Sequence, residues 1–126
     1  MQALTKEIMI DEKPVKFRSS AMVLRIYRIA FKRDIMQDLV KLKASYQKNI
    51  EDEDAEFTAM DLEIFENIAY TMAYHADNSV GTIDTWLDQF GTFSIYEVLP
   101  EILGLWIENE MTTVESKKKL REVAGK

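Results

Sequence analysis

Three groups of residues in this chain have the types and spacing to do chemistry: one histidine, one run of acids and one basic helix face. His75 sits between Tyr74 and Ala76 in a helical stretch, where an imidazole could act as a general base or a metal ligand. Either role needs a partner on the same face. Asp77, close by in sequence, does not share that face. His75 is therefore read as a structural side chain. The run Glu51-Asp52-Glu53-Asp54 offers hard oxygen ligands. It lacks the alternating spacing, central glycine and terminal glutamate of a calcium loop, and reads as a solvated acidic loop. No pair of carboxylates sits in an apolar setting that would tune an acid or base. The chain has no cysteine, no glycine-rich phosphate loop and no Gly-x-Ser-x-Gly. No catalytic, cofactor or metal site is expected, and the protein is expected not to be an enzyme.

The basic face of Arg25, Arg28, Lys32 and Arg33 could contact phosphates. Nucleic-acid binding normally shows a basic domain, and this chain carries a net charge of −6 with a pI near 4.8. That reading is disfavoured. The aromatic residues say more. Trp86, Phe90, Phe93, Tyr96 and Trp106 crowd into about twenty residues. Core packing accounts for Trp86 and Phe90. A small helical protein does not easily bury all five, so one or two are expected at the surface, where Trp and Tyr anchor partners.

The elements that must position these residues follow from periodicity. Over Lys6–Ile10 and Pro14–Phe17, Ile8, Ile10, Val15 and Phe17 alternate with Glu7, Met9 and Lys16 around a polar turn at Asp11-Glu12-Lys13, which predicts a β-hairpin. Its apolar face must rest on helices, because an isolated hairpin is marginal in water. From Ser19 the period becomes helical. Met22, Ile26 and Ile29, flanked by Val23 and Ala30, form the expected core stripe, with Arg25, Arg28 and Lys32 on another. A second helix from about Asp34 aligns Ile35, Leu39, Leu42 and Tyr46. Lys32-Arg33 either breaks two helices or bends one.

Asn49–Glu56 reads as a polar connection. Thr58-Ala59-Met60-Asp61 starts a long helix with the buried stripe Leu62, Phe65, Ala69, Met72, Ala73 and Ala76, ended by turn residues 77–81. A short helix carries Ile83, Trp86, Leu87 and Phe90 up to Gly91. Ser94-Ile95-Tyr96-Glu97 is a second capping box. Pro100 either kinks that last helix or sits in the first turn of one beginning near Leu99. The expected architecture is mainly α: one compact domain of about five helices with an N-terminal hairpin over residues 1–111, and a flexible polar tail over 112–126.

Charge is segregated along the chain. Residues 1–48 hold eleven Lys or Arg against five acids, residues 49–114 hold fifteen acids and no Lys or Arg, and residues 115–126 hold five basic against two acidic. Such one-sided segments repel themselves and need opposite charge nearby. Either the two halves pack on each other, or copies or partners meet through complementary surfaces. No apolar run approaches the roughly 20 residues of a membrane span, and the start of the chain lacks signal-peptide character. An intracellular protein without a membrane partner is expected.

Two stretches resemble a known family. Phe17-Arg-Ser-Ser-Ala-Met-Val-Leu-Arg-Ile-Tyr-Arg-Ile-Ala-Phe31, running on to Leu39, is similar to the first block of tail assembly chaperones from long-tailed phages and prophages of Gram-positive bacteria. Thr85-Trp-Leu-Asp-Gln-Phe90 with Ser94-Ile-Tyr-Glu-Val-Leu-Pro-Glu-Ile-Leu-Gly-Leu-Trp106 is similar to the second. With the hairpin and the polar tail, the match covers most of the chain in order. These are packing and capping patterns, and one departure is Lys32, where the family pattern leads us to expect glycine.

The resemblance implies a mainly helical, non-catalytic protein of the host bacterial cytoplasm, absent from the mature virion. Such proteins bind the tape-measure protein, keep it soluble and recruit the tail-tube protein; a homo-oligomer is a further expectation. Partner contacts are expected among Arg25, Arg28, Lys32, Trp86, Phe93, Tyr96 and Trp106. The rival readings are a structural or head–tail joining protein retained in the virion, and a small nucleic-acid-binding regulator. Family members are often made in two lengths by ribosomal frameshifting. Lys117-Lys118-Lys119 and Gly125-Lys126 are either encoded by slippery runs or part of a basic solubilising tail. If this chain is the short form, sequencing its gene will show a slippery heptamer at one of these positions with an overlapping downstream frame; absence at both overturns that expectation.

Overall fold

Period-2 patterning at the start of the chain makes a two-stranded antiparallel hairpin, β1 (Leu4–Ile10) and β2 (Lys13–Ser19), in a computed structural model that describes residues 4–106. The tail expected over 112–126 lies outside the described residues. Ile8 faces Val15 and Ile10 faces Lys13, so the turn is the two residues Asp11 and Glu12, one shorter than the sequence suggests. Both have positive φ, 52° and 64°, the mirror-image turn whose twist matches the strands. Asp11 and Glu12 lack the glycine that this turn favours, and tertiary bonds hold it instead. The Gly91 N–H donates to the Asp11 carboxylate (2.8 Å), and the Lys13 ammonium donates to the Gln89 carbonyl (2.6 Å). Ile8, Ile10 and Phe17 are buried under the hairpin, as the alternation predicts.

Five helices follow among the described residues: α1 (Ala21–Phe31), α2 (Ile35–Glu51), α3 (Ala59–Ala76), α4 (Ile83–Asp88) and α5 (from residue 95 to 106, the last described), with a 3-10 turn at Asn78–Val80. The mainly α architecture with an N-terminal hairpin is the expected one. α3 is its axle. β2, α1, α2 and α4 all contact α3, and Ile64, Phe65, Ile68, Ala69, Met72 and Ala73 are almost fully enclosed. Each large side chain among these contributes roughly 1.5–3 kcal/mol by leaving water. The capping box that starts α3 is complete. The Thr58 hydroxyl accepts from the Asp61 N–H (3.1 Å), and the Asp61 carboxylate accepts from the Thr58 N–H (2.9 Å). Ser45 donates to the other oxygen of Asp61 (3.1 Å), which ties this cap to α2.

Several sequence expectations need correction. In α1 the buried residues are Val23 and Tyr27; Met22 and Ile29 are about half exposed, at 48% and 55%. The helix is apolar on two sides, and Leu24 and Phe31 flank the Val23–Tyr27 side against the core. In α3, Leu62 is exposed while Ile64 and Ile68 take the core positions. α2 runs on to Glu51, so the acidic connection starts later than Asn49. α5 passes through Pro100, which resolves the two readings of that region; the Tyr96 carbonyl goes without its usual amide donor.

Lys32 and Arg33 break two helices. Lys32 is the C-cap of α1 in the left-handed conformation (φ 58°, ψ 37°), with its N–H bonded to the Arg28 carbonyl. This is the position where the family pattern leads us to expect glycine. A side chain there costs about 1–2 kcal/mol, part of which glycine loses to its greater freedom when unfolded. Lys32→Gly is expected to stabilise the domain by about 0.5–1 kcal/mol in urea denaturation; an unchanged or lower midpoint would show that the lysine side chain contributes more here than its backbone strain.

Candidate functional site

The corner between α1 and α2 is fixed by a buried ion. Tyr27 projects from the last turns of α1 and donates its hydroxyl to Asp38 (2.6 Å). Arg33, in the connection, grips both oxygens of the same carboxylate through Nε and a terminal nitrogen, each at 2.8 Å. The Asp38 side chain is only 3% exposed, whereas Arg33 is 38% exposed. A buried carboxylate is tolerable only with this degree of satisfaction. Nothing in the local sequence marks Asp38 as buried. The nearest signal is its position one turn after Asp34, which spends its own carboxylate capping the Met36 N–H (2.9 Å).

Outside this clamp lies an open groove of about 740 Å³, lined by Leu24, Arg28, Ile29, Lys32, Arg33, Asp34, Ile35 and Met36. Its walls are apolar and its rim is cationic. Ile29 and Met36 are 55% and 39% exposed, and Val40, one turn beyond Met36 on α2, is 68% exposed. Arg25, Arg28 and Lys32 are exposed and have no ion-pair partner among the described residues. The structure thus brings together two of the basic candidates, Arg28 and Lys32, with Arg25 one turn before Arg28 on α1. Sequence reasoning missed Ile29, Met36 and Val40 as surface residues, because it spent Ile29 on the core stripe.

The aromatic candidates separate. Trp86 is 1% exposed and sits at the centre of an edge-to-face cluster with Phe17, Phe90 and Phe93, at centroid distances of 6.3, 5.3 and 5.5 Å. Phe93 is half-buried and stacks on Phe65 at 4.8 Å. Trp106 is buried. These three belong to the packing of the domain and present little surface. Tyr96 alone among the five is largely exposed, at 62%, with its ring edge against Phe57.

His75 bonds Ser20, the N-cap of α1, through Nε2 (2.6 Å). Burial lowers its pKa, with the nearby Arg18 charge adding to the effect, so the ring is neutral at pH 7. Ser20 Oγ also accepts from the Met22 N–H (3.2 Å). A serine committed to a helix cap, beside an imidazole that no described carboxylate orients, lacks the geometry of an activated nucleophile. Among the described residues no group of three or more metal-ligating side chains converges, and no helix is long and apolar enough to cross a membrane. In comparisons with protein-family models, curated proteins and solved structures, nothing matches the chain.

The clamp carries a pH signature. The bonds from Arg33 hold the Asp38 carboxyl below its ordinary range, against the opposing effect of burial. Burial, reinforced by the Asp38 charge, pushes the Tyr27 hydroxyl well above its ordinary value. Asp38 therefore stabilises the fold above the ordinary carboxylate pKa of about 4, and this is lost as pH falls through its depressed value. Tyr27 stabilises it below about 10, and this is lost as pH rises toward its elevated value. Asp38→Asn is expected to cost about 2 kcal/mol at pH 7 and to flatten the acid limb of a urea-stability profile; an acid limb identical to that of the parent protein would contradict the assignment.

Proposed function

We propose that this chain is a tail assembly chaperone that binds the tape-measure protein of a long-tailed phage and helps recruit tail-tube subunits to it. The observation that carries the reading is the exposed groove at the α1–α2 corner, where Ile29 and Met36 lie beside Arg28 and Lys32, cations with no ion-pair partner among the described residues. An apolar floor with a charged rim suits a protein partner. Methionine lets such a floor adapt to varied sequences, as a chaperone of a long helical protein requires. The resemblance of residues 17–39 and 85–106 to the family adds the identity of the partner and the cytoplasmic setting. The groove belongs to the first of those blocks.

Two experiments test this. Co-expression with the tape-measure protein of the same phage should yield soluble tape-measure protein that co-purifies with this chain. Failure with both this chain and a frameshift-extended product would overturn the reading, and recovery of the chain from purified virions would favour the retained structural protein. Replacing Arg25 and Arg28 together by Glu should weaken capture about tenfold while leaving the helical circular dichroism and melting temperature near those of the parent. Equal capture by the double variant would remove this face from the interface.

A further inference from the structure

Arg28, Lys32 and Ile29 share one side of α1, and Met36 meets them across the groove from the first turn of α2. From this juxtaposition we infer that the groove is a docking site for an acidic amphipathic helix of a partner protein, seated with its apolar stripe on Ile29, Met36 and Leu24 and its carboxylates on Arg25, Arg28 and Lys32. The inference deepens the chaperone reading and rests on it: it specifies the chemistry of the segment that the groove takes.

Charge decides the class of occupant. Three cations line the groove, Arg28, Lys32 and Arg33, and Arg25 lies one turn before Arg28 on α1. Arg33 is already spent on Asp38, and the other three are unpaired among the described residues. The one acid in the lining, Asp34, has its carboxylate engaged by the Met36 N–H. Asp34 keeps its negative charge, so the groove is net positive, with Arg28, Lys32 and the neighbouring Arg25 as the cations left without an ion pair among the described residues, in a protein whose net charge is −6. A basic or neutral segment would leave them unanswered, whereas carboxylates spaced three and four residues apart on a helix reach cations spaced likewise on α1.

Apolar exposure decides against a nucleic acid. Ile29, Met36 and Val40 would gain nothing from a phosphate backbone, and no aromatic side chain lines the groove to stack a base. An amphipathic helix covers these side chains with its own apolar stripe, in the mode by which helices lie in hydrophobic grooves. α1, with 11 residues, is roughly 16 Å long, enough to support about three turns of a docked helix.

The test uses two synthetic peptides of about 18 residues with the same Leu/Ile stripe at helical spacing, one carrying Glu on its polar face and the other Lys. The Glu peptide should bind with a salt-sensitive affinity at least about tenfold above that of the Lys peptide. Amide shift changes should centre on residues 24–36. Arg28→Glu combined with Lys32→Glu should reverse the preference, and Ile29→Ser should weaken the Glu peptide about tenfold while leaving the fold intact by circular dichroism. Equal binding of both peptides, shifts centred elsewhere, or a single-stranded DNA of matched charge binding as tightly as the Glu peptide would each overturn the inference. Capture of the tape-measure protein, run in parallel, separates the two levels. If the Arg28/Lys32 variant captures it as well as the parent does, the groove is wrong and the chaperone reading stands. If the Glu peptide binds but the tape-measure protein is captured neither by the parent nor by a frameshift-extended product, the docking chemistry stands and the chaperone reading fails.

Discussion

The α1–α2 corner depends on one buried carboxylate. Asp38 is almost fully buried, and its charge survives there because Arg33 and Tyr27 satisfy it with three hydrogen bonds. Those bonds fix the last turns of α1, the connection and the first turn of α2 relative to each other. The left-handed cap at Lys32 and the Asp34 cap of α2 follow from that tight reversal. Arg33 is consequently tied to Asp38, while Arg28 and Lys32 are exposed and have no ion-pair partner among the described residues. The same clamp that stiffens the corner thus sorts its cations into one structural and two available ones.

The rest of the domain is organised by apolar enclosure around α3 and Trp86. The hairpin and the first two helices, which carry most of the basic residues, pack against the acidic α3. Direct pairing between the halves is modest: the Lys6 ammonium meets the Glu101 carboxylate, and the Lys13 ammonium reaches the Gln89 carbonyl and the face of Phe90. Exposed pairs of this kind contribute little each. The acidic connection after α2 is solvated, with the Asp52 carboxylate turning back to the Asp54 N–H.

Local signals in the sequence were readable where short-range chemistry decides the outcome. The Thr58–Asp61 box starts α3 as expected, and alternation placed Ile8, Ile10 and Phe17 on the buried side of the hairpin. In α2 the spacing of Ile35, Leu39 and Leu42 selected the correct face. Periodicity failed in α1 because Met22/Ile26/Ile29 and Val23/Tyr27 are both apolar at helical spacing, and only tertiary contact chooses between them. In α3, burial on most of the circumference likewise makes any single stripe a poor guide, which is why Ile64 and Ile68 were overlooked. Of the functional candidates, the basic face was legible from charge spacing. The groove was not, because it exists only once the corner is folded.

The hairpin turn has a consequence for the order in which the chain can mature. Asp11 is held by Gly91 and Lys13 by Gln89, across separations of 80 and 76 residues. The hairpin is synthesised before the helices, yet the residues that secure its strained turn follow α3 and α4. Until α3 has formed, β1 and β2 are a two-stranded unit whose apolar face has no support from that helix. Closure of this long loop therefore follows the docking of the strands on α3, and the turn is the last part of the hairpin to be secured.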